Sequence, residues 1–243
     1  GWTHDTLKYM QRNPVYRRFH HNQITFALLY AFSENFVLSL SHDEVVHGKG
    51  SLIGKMPGDY WQQFAQVRLL LGYQYTQVGK VLNFMGAEFG QFSEWSEERG
   101  LDWHLLDYEK HAKLKDWVKD LNHFYKSQPA LYEVDFDSNG FRWIEANDTD
   151  ASTYSYIRYA KDPSDYLIII MNFTPVVREH YQLGVPEAGF YKEMLNSDSE
   201  MYGGSNVGNI GGVQSHNLGK HGLPHSVSLT VPPFGILILK KED

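Results

Sequence analysis

The apolar pattern changes period near residue 130, and nothing else in the chain constrains its fold as strongly. Before that point, Trp61, Phe64, Val67, Leu70 and Leu71 recur at helical spacing behind Asp59, a predicted N-cap. Leu114, Trp117, Val118, Leu121 and Tyr125 trace a second helical stripe, which stops before Pro129. Residues 24–32 are nearly all apolar and are expected to form a helix packed hard against a sheet. Residues 36–40 and 81–85 are short apolar runs rich in β-formers, which read as buried parallel strands. Strands alternating with helices make a parallel sheet. Beyond 130 the chain reads as short strands over 141–146, 153–159, 166–173, 181–185, 191–195 and 226–240. Gly, Pro and Asn-Asp turns separate them, and Val231-Pro-Pro233 splits the last run in two. An α/β part over residues 1–130 and an antiparallel β-sandwich over 131–243, packed together, is the expected architecture. A closed (β/α)8 barrel takes about 250 residues, so the α/β part is too small to be a whole one.

Composition removes several function classes. The 243 residues carry a net charge of -7, which disfavours nucleic acid and anionic membrane surfaces as partners. Cysteine is absent, so no disulfide, thiolate zinc site or cysteine nucleophile is available. No apolar run reaches membrane-spanning length, and Gly1-Trp-Thr-His-Asp5 has no signal-peptide character; a cytoplasmic location is expected. The chain opens without Met and in mid-motif, and is expected to be a piece of something longer. The sequons at Asn147 and Asn172 read as coincidence.

Chemistry concentrates where the first strand ends. Ser41-His42-Asp43-Glu44-Val-Val-His47 places carboxylates and imidazoles at the carboxyl end of a predicted strand, where α/β barrels carry their active sites. A zinc reading fails on spacing: His42 and His47 are five apart, about 140° around a helix and on opposite faces of a strand. On residue types alone, a satisfied polar strand end and a catalytic pair both stay open. Gly48 to Lys55 resembles a phosphate loop, but Lys49 and Met56 fall where Gly and Ser/Thr are needed. A second acidic, aromatic strand end runs from Gly86 through Glu88 and Glu94 to Trp95. Glu88 reads more readily as a structural ion-pair partner. Trp95 and Trp103 fit either sugar stacking or packing under the loop. The glycine-rich segment 203–212 does not join a strand to a helix, so it reads as a surface loop, not a dinucleotide site.

Longer segments carry a family likeness. Gly1-Trp-Thr-His-Asp-Thr-Leu7, Leu40-Ser-His-Asp-Glu-Val-Val-His-Gly-Lys49, Phe84-Met-Gly-Ala-Glu-Phe-Gly90 and Leu101-Asp-Trp-His-Leu-Leu106 resemble the bacterial 1,4-α-glucan branching enzymes of the α-amylase superfamily. Asn172-Phe-Thr-Pro175, Asn196-Ser-Asp198, Gly203-Gly-Ser-Asn206 and Val231-Pro-Pro233 extend the resemblance through the second half. It implies strands seven and eight of a (β/α)8 barrel followed by an all-β domain. It also implies retaining transglycosylation in glycogen synthesis, without metal or cofactor. Asp43 matches the family's transition-state-stabilising carboxylate and His42 its sugar-binding neighbour; Trp95 and Trp103 are the further substrate-binding candidates. The nucleophile and acid/base belong to earlier strands, so this chain is expected to be inactive alone. The implied partners are an α-glucan and the missing N-terminal part of the enzyme. A non-catalytic carbohydrate-binding or structural module is the alternative, and a metallohydrolase using His42, Asp43 and His47 a poorer third.

Overall fold

The computed structural model describes residues 1–242. Three short helices, α1 (Trp2–Met10), α2 (Pro14–Arg17) and α3 (Asn22–Thr25), lead into strand β1 (Val37–Leu40). Helix α4 (Tyr60–Thr76), strand β2 (Lys80–Asn83) and helix α5 (Glu109–Ser127) follow. Asp59 starts α4 as expected: its carboxylate accepts from Gln62 N at 2.9 Å, and the Gln62 side chain accepts from Asp59 N at 3.2 Å. From Phe64 to Thr76 every residue of α4 is buried. Its polar members survive there because each is bonded. Gln74 donates to Leu38 O at 2.8 Å and to Leu82 O at 3.1 Å, joining the helix to both strands through one amide.

Strands β1 and β2 pair in parallel, Val37 opposite Lys80 through Leu40 opposite Asn83. They are not buried on both faces, as the apolar runs led us to expect. Leu38 and Leu40 are buried, whereas Val37 is 52% and Leu82 43% exposed. The helices cover one face of the pair and leave the other open. The helix expected over 24–32 is also cut short. The single turn of α3 passes into a 3-10 segment, Phe26–Leu29, in which Phe26 and Leu29 face solvent. A run without a polar stripe carries no period to fix a helix face, and only Ile24 and Ala27 of these residues reach the core.

The second half is all β. Strands β3 (Phe141–Glu145), β4 (Thr153–Tyr159), β5 (Tyr166–Asn172), β7 (Phe190–Asn196), β8 (Gly212–Gln214) and β10 (Gly235–Lys241) form one antiparallel sheet in the order β3-β4-β5-β10-β7-β8. Strands β6 (Arg178–Val185) and β9 (His225–Val231) form a second layer. Only β8, three residues that begin at the last glycine of the glycine-rich segment, had no sequence signal. Pro232 and Pro233 break the ladder where the chain leaves one layer for the other.

The large sheet is apolar on both faces, with period two. Ile168, Ile170, Leu237 and Leu239 point into a core shared with Leu183, Val227 and Leu229 of the second layer. Leu167, Ile169, Met171, Ile236 and Ile238 point the other way, into a core shared with α4 and α5. Gly72 lets α4 approach β10 closely: a Cβ there would lie 2.6 Å from Ile236 Cγ2. Three fully buried guanidiniums cross between the halves. Arg17 donates to Phe173 O at 2.8 Å, Arg68 to Ser197 O at 2.7 Å, and Arg158 to Thr76 O at 2.7 Å. Burial pushes the pKa of Arg17 and of Arg68 down to about 10, still well above neutrality, so both stay charged.

Candidate functional site

The polypeptide leaves β1 at Ser41 and turns at once into a one-turn helix, His42–Glu44. Glu44 makes that turn. Its carboxylate accepts from Ser41 N at 2.7 Å and from Ser41 Oγ at 2.9 Å. The Ser-x-x-Glu spacing of a capping box signals this role in the sequence itself. With Glu44 turned inward, Asp43 is free to face outward; its side chain is 75% exposed. His42 Nε2 lies 3.2 Å from Asp43 Oδ1. Asp43 and Lys49 border a cleft of about 510 Å³ whose wall includes Trp2, Tyr30, Phe36 and Val37.

The loop after β2 closes one side of this region. Trp95 N donates to Val45 O at 2.9 Å. The Trp95 ring lies 5.0 Å from Phe84 and 6.5 Å from His42, and His42 lies 5.8 Å from Phe84. His42, Asp43 and Trp95 are therefore gathered at one strand end, with Phe84 added by the structure. Trp103 is not part of this cluster. It is 56% exposed and its ring lies 5.3 Å from Phe89. Glu88 accepts from Gly86 N at 2.7 Å, a local structural bond to a main-chain amide in place of the expected ion pair.

Glu94, read in the sequence only as one acid of the second strand end and given no role of its own, has the densest bonding of the rim. Its carboxylate accepts from Gly50 N at 2.8 Å and Gly48 N at 3.1 Å and lies 3.6 Å from His47 Nδ1. Those two amides hold the Glu94 carboxyl below the usual carboxylate range. Lys55 Nζ grips the same turn from its carbonyl side, donating to Gly50 O at 2.7 Å. Burial lowers the Lys55 ammonium pKa. His47 thus engages Glu94 and does not converge with His42 and Asp43. Among the described residues no group of three His, Asp or Glu is arranged to hold a metal, and no helix is long and apolar enough to cross a membrane.

This arrangement offers an exposed carboxylate at the edge of an open cleft, with an imidazole and two aromatic rings beside it. Such a set can orient a polyhydroxylated ligand and stabilise positive charge near it.

Comparison with known proteins agrees with the architecture and sharpens it. Residues 143–242 match the family described as "Alpha amylase, C-terminal all-beta domain". The chain is 51% identical over 242 residues to the 1,4-alpha-glucan branching enzyme of Aquifex aeolicus, covering 100% of this chain and 38% of that one. Identity to the enzyme of Aromatoleum aromaticum is 54% over the same length and coverage. For Synechococcus elongatus it is 53% over 240 residues, 99% of this chain and 31% of the relative. The chain therefore spans between about a third and two fifths of the length of these relatives. A solved structure, AmyP in complex with maltose, shares the fold at a TM-score of 0.61 over 90% of this chain and 44% of its own, with 15% identity. Matched from end to end in this way, the chain corresponds to a C-terminal portion of the 1,4-alpha-glucan branching enzymes.

Proposed function

We propose that this chain works as part of a 1,4-α-glucan branching enzyme, which cleaves an α-1,4 glucan and re-attaches the released chain through an α-1,6 linkage. The observation that carries this reading is the exposed Asp43 at the carboxyl end of β1, beside His42 and the Phe84–Trp95 aromatic pair. Strands β1 and β2 are then strands seven and eight of a (β/α)8 barrel, and their open face is its interior side. The nucleophile and the acid/base come from the part of the enzyme outside this chain. The boundary between barrel and β domain falls at 130/131. In support, the core between the two β layers is drawn wholly from residues beyond it, Ile144 through Leu239.

Retaining glycosyl transfer passes through an oxocarbenium-like transition state, in which hydrogen bonds to ring hydroxyls tighten. Asp43 accepts from those hydroxyls, and as a fixed anion it keeps a neighbouring glutamic acid protonated by like-charge repulsion. His42 donates to a sugar hydroxyl, and Trp95 and Trp103 offer faces for stacking. The partners are an α-glucan and the N-terminal remainder of the enzyme, and the location is cytoplasmic. The test is Asp43→Asn in the full-length enzyme, counting new α-1,6 linkages by debranching. A loss of at least about 10²-fold is expected, as for removal of one preorganised electrostatic group. Retention of most of the activity would overturn the assignment.

A further inference from the structure

We propose that Glu94 is a positioning residue that locks the two strand-end loops into one rim and so fixes the Trp95 ring against His42 and Asp43. The inference rests on the functional reading above and adds to it a residue that touches neither substrate nor reacting atoms.

Four contacts converge on residues 94 and 95. The Glu94 carboxylate takes Gly48 N and Gly50 N, Trp95 N reaches Val45 O, and Arg99 Nη2 donates to Glu94 O at 2.7 Å from behind. Gly48 and Gly50 have φ of +79° and +75°, the left-handed conformation that turns both amides toward one anion. The carboxylate therefore closes a backbone nest. Lys55 holds the opposite side of that nest through the carbonyls of Lys49 and Gly50. The loop that carries Asp43 and the loop that carries Trp95 are thus joined by the Glu94 carboxylate as well as by the Trp95 N–Val45 O bond. Of the charges at hand, His47 and Lys55 favour the ionised carboxylate. A glucan ring stacked on Trp95 and bonded by His42 and Asp43 needs the distance between these groups held to a fraction of an ångström. Glu94 sets that distance for the ground-state complex. Its loss therefore weakens glucan binding more than it slows the chemical step.

Two measurements test this together. In the 243-residue chain, hydrogen exchange at the Gly48 and Gly50 amides is followed by NMR in wild type, Glu94→Gln, Glu94→Ala and, as a control on the same rim, Glu98→Gln. In the full-length enzyme, KM and kcat for amylose are measured for the same variants beside Asp43→Asn. Exchange should accelerate in Glu94→Ala, less in Glu94→Gln, and not in the control. KM should rise about tenfold in Glu94→Ala with kcat changed far less, the size expected for loss of a charge-assisted bond. Partial rescue by Gln is expected, because its carbonyl keeps one acceptor. Unchanged exchange or unchanged KM in Glu94→Ala overturns the proposal. A fall in kcat as deep as that of Asp43→Asn at constant KM also overturns it, because it would make Glu94 part of the chemistry. If Asp43→Asn retained its activity, the functional reading would fail instead, and the exchange data would still decide whether the clamp exists.

Discussion

Arg158 has no exposed side-chain surface, and neither has Asp135, 2.6 Å away. A charge so far from water is costly unless it is paired and hydrogen-bonded. Here the guanidinium also meets Thr76 O at 2.7 Å and Gln77 O at 2.6 Å, so one side chain on β4 ends α4 and anchors the segment after α5. Replacing it by Leu leaves Asp135 with Lys80 alone, also at 2.6 Å, and strips a donor from four carbonyls, those of Thr76, Gln77, Leu131 and Gly140. Arg158→Leu should cost about 3–5 kcal/mol in urea unfolding. A loss below about 1 kcal/mol would mean that water replaces the guanidinium. Asn172 makes a similar point for a neutral group. It donates to Val176 O at 2.7 Å and Pro232 O at 3.0 Å and accepts from Thr174 N at 3.0 Å, which leaves its sequon no free amide.

Among the elements, α4 shows how far the sequence could be read. Its cap, its stripe and its length follow from Asp59 and the spacing of Trp61, Phe64 and Val67, because those signals are local. What lay beyond reach was its burial on all sides, which depends on a sheet formed over a hundred residues later. Gly72 carries that dependence. As a helical residue it should gain up to about 1 kcal/mol on becoming Ala. Contact with Ile236 Cγ2 at 2.6 Å and Trp117 Cζ2 at 3.3 Å opposes this, and neither neighbour can swing away. Overpacking costs about 1–3 kcal/mol, so Gly72→Ala should be net destabilising, and a thermal melt will show a lowered Tm. An unchanged or raised Tm would mean that α4 can shift away from the sheet. At the site the same division holds. The strand ends and the family-like decapeptide were legible, and so in principle was the Glu44 cap. Glu94 was not, because its partners lie 44 and 46 residues away and are main-chain amides, which leave no trace in side-chain pattern.

At the scale of the whole molecule, burial favours the neutral form of His21, His111 and His221. His21 stacks on Tyr154 at 3.9 Å, His111 meets Phe89 O at 2.7 Å, and His221 accepts from Gly184 N at 3.2 Å. Loss of solvent lowers the pKa of each, and nearby backbone acceptors or carboxylates offset this only in part. The unfolded chain then binds protons more readily than the folded one. Stability from these groups is complete above the ordinary histidine value of about 6.5 and is lost as pH falls below it. The Tm should therefore drop between about pH 7.5 and 5.5, and His21→Phe should shrink that drop. A Tm that stays level over this range, or rises on acidification, would contradict the reading.

The two-faced sheet has a consequence for how the chain finds its structure. Strand β5 reads Tyr-Leu-Ile-Ile-Ile-Met-Asn and is buried at every position. A slip of one residue would exchange its two faces at little loss of hydrophobic energy, since both are equally greasy. Apolar burial alone cannot tell the right pairing from the wrong one. The polar tips can. Tyr166 OH must find Tyr191 OH at 3.0 Å, and Asn172 Nδ2 must reach Pro232 O at 3.0 Å. Each would be stranded in a dry interior by a single-step slip. This hydroxyl pair and one amide act as proofreading marks during folding, penalising collapsed states that hydrophobicity alone would accept.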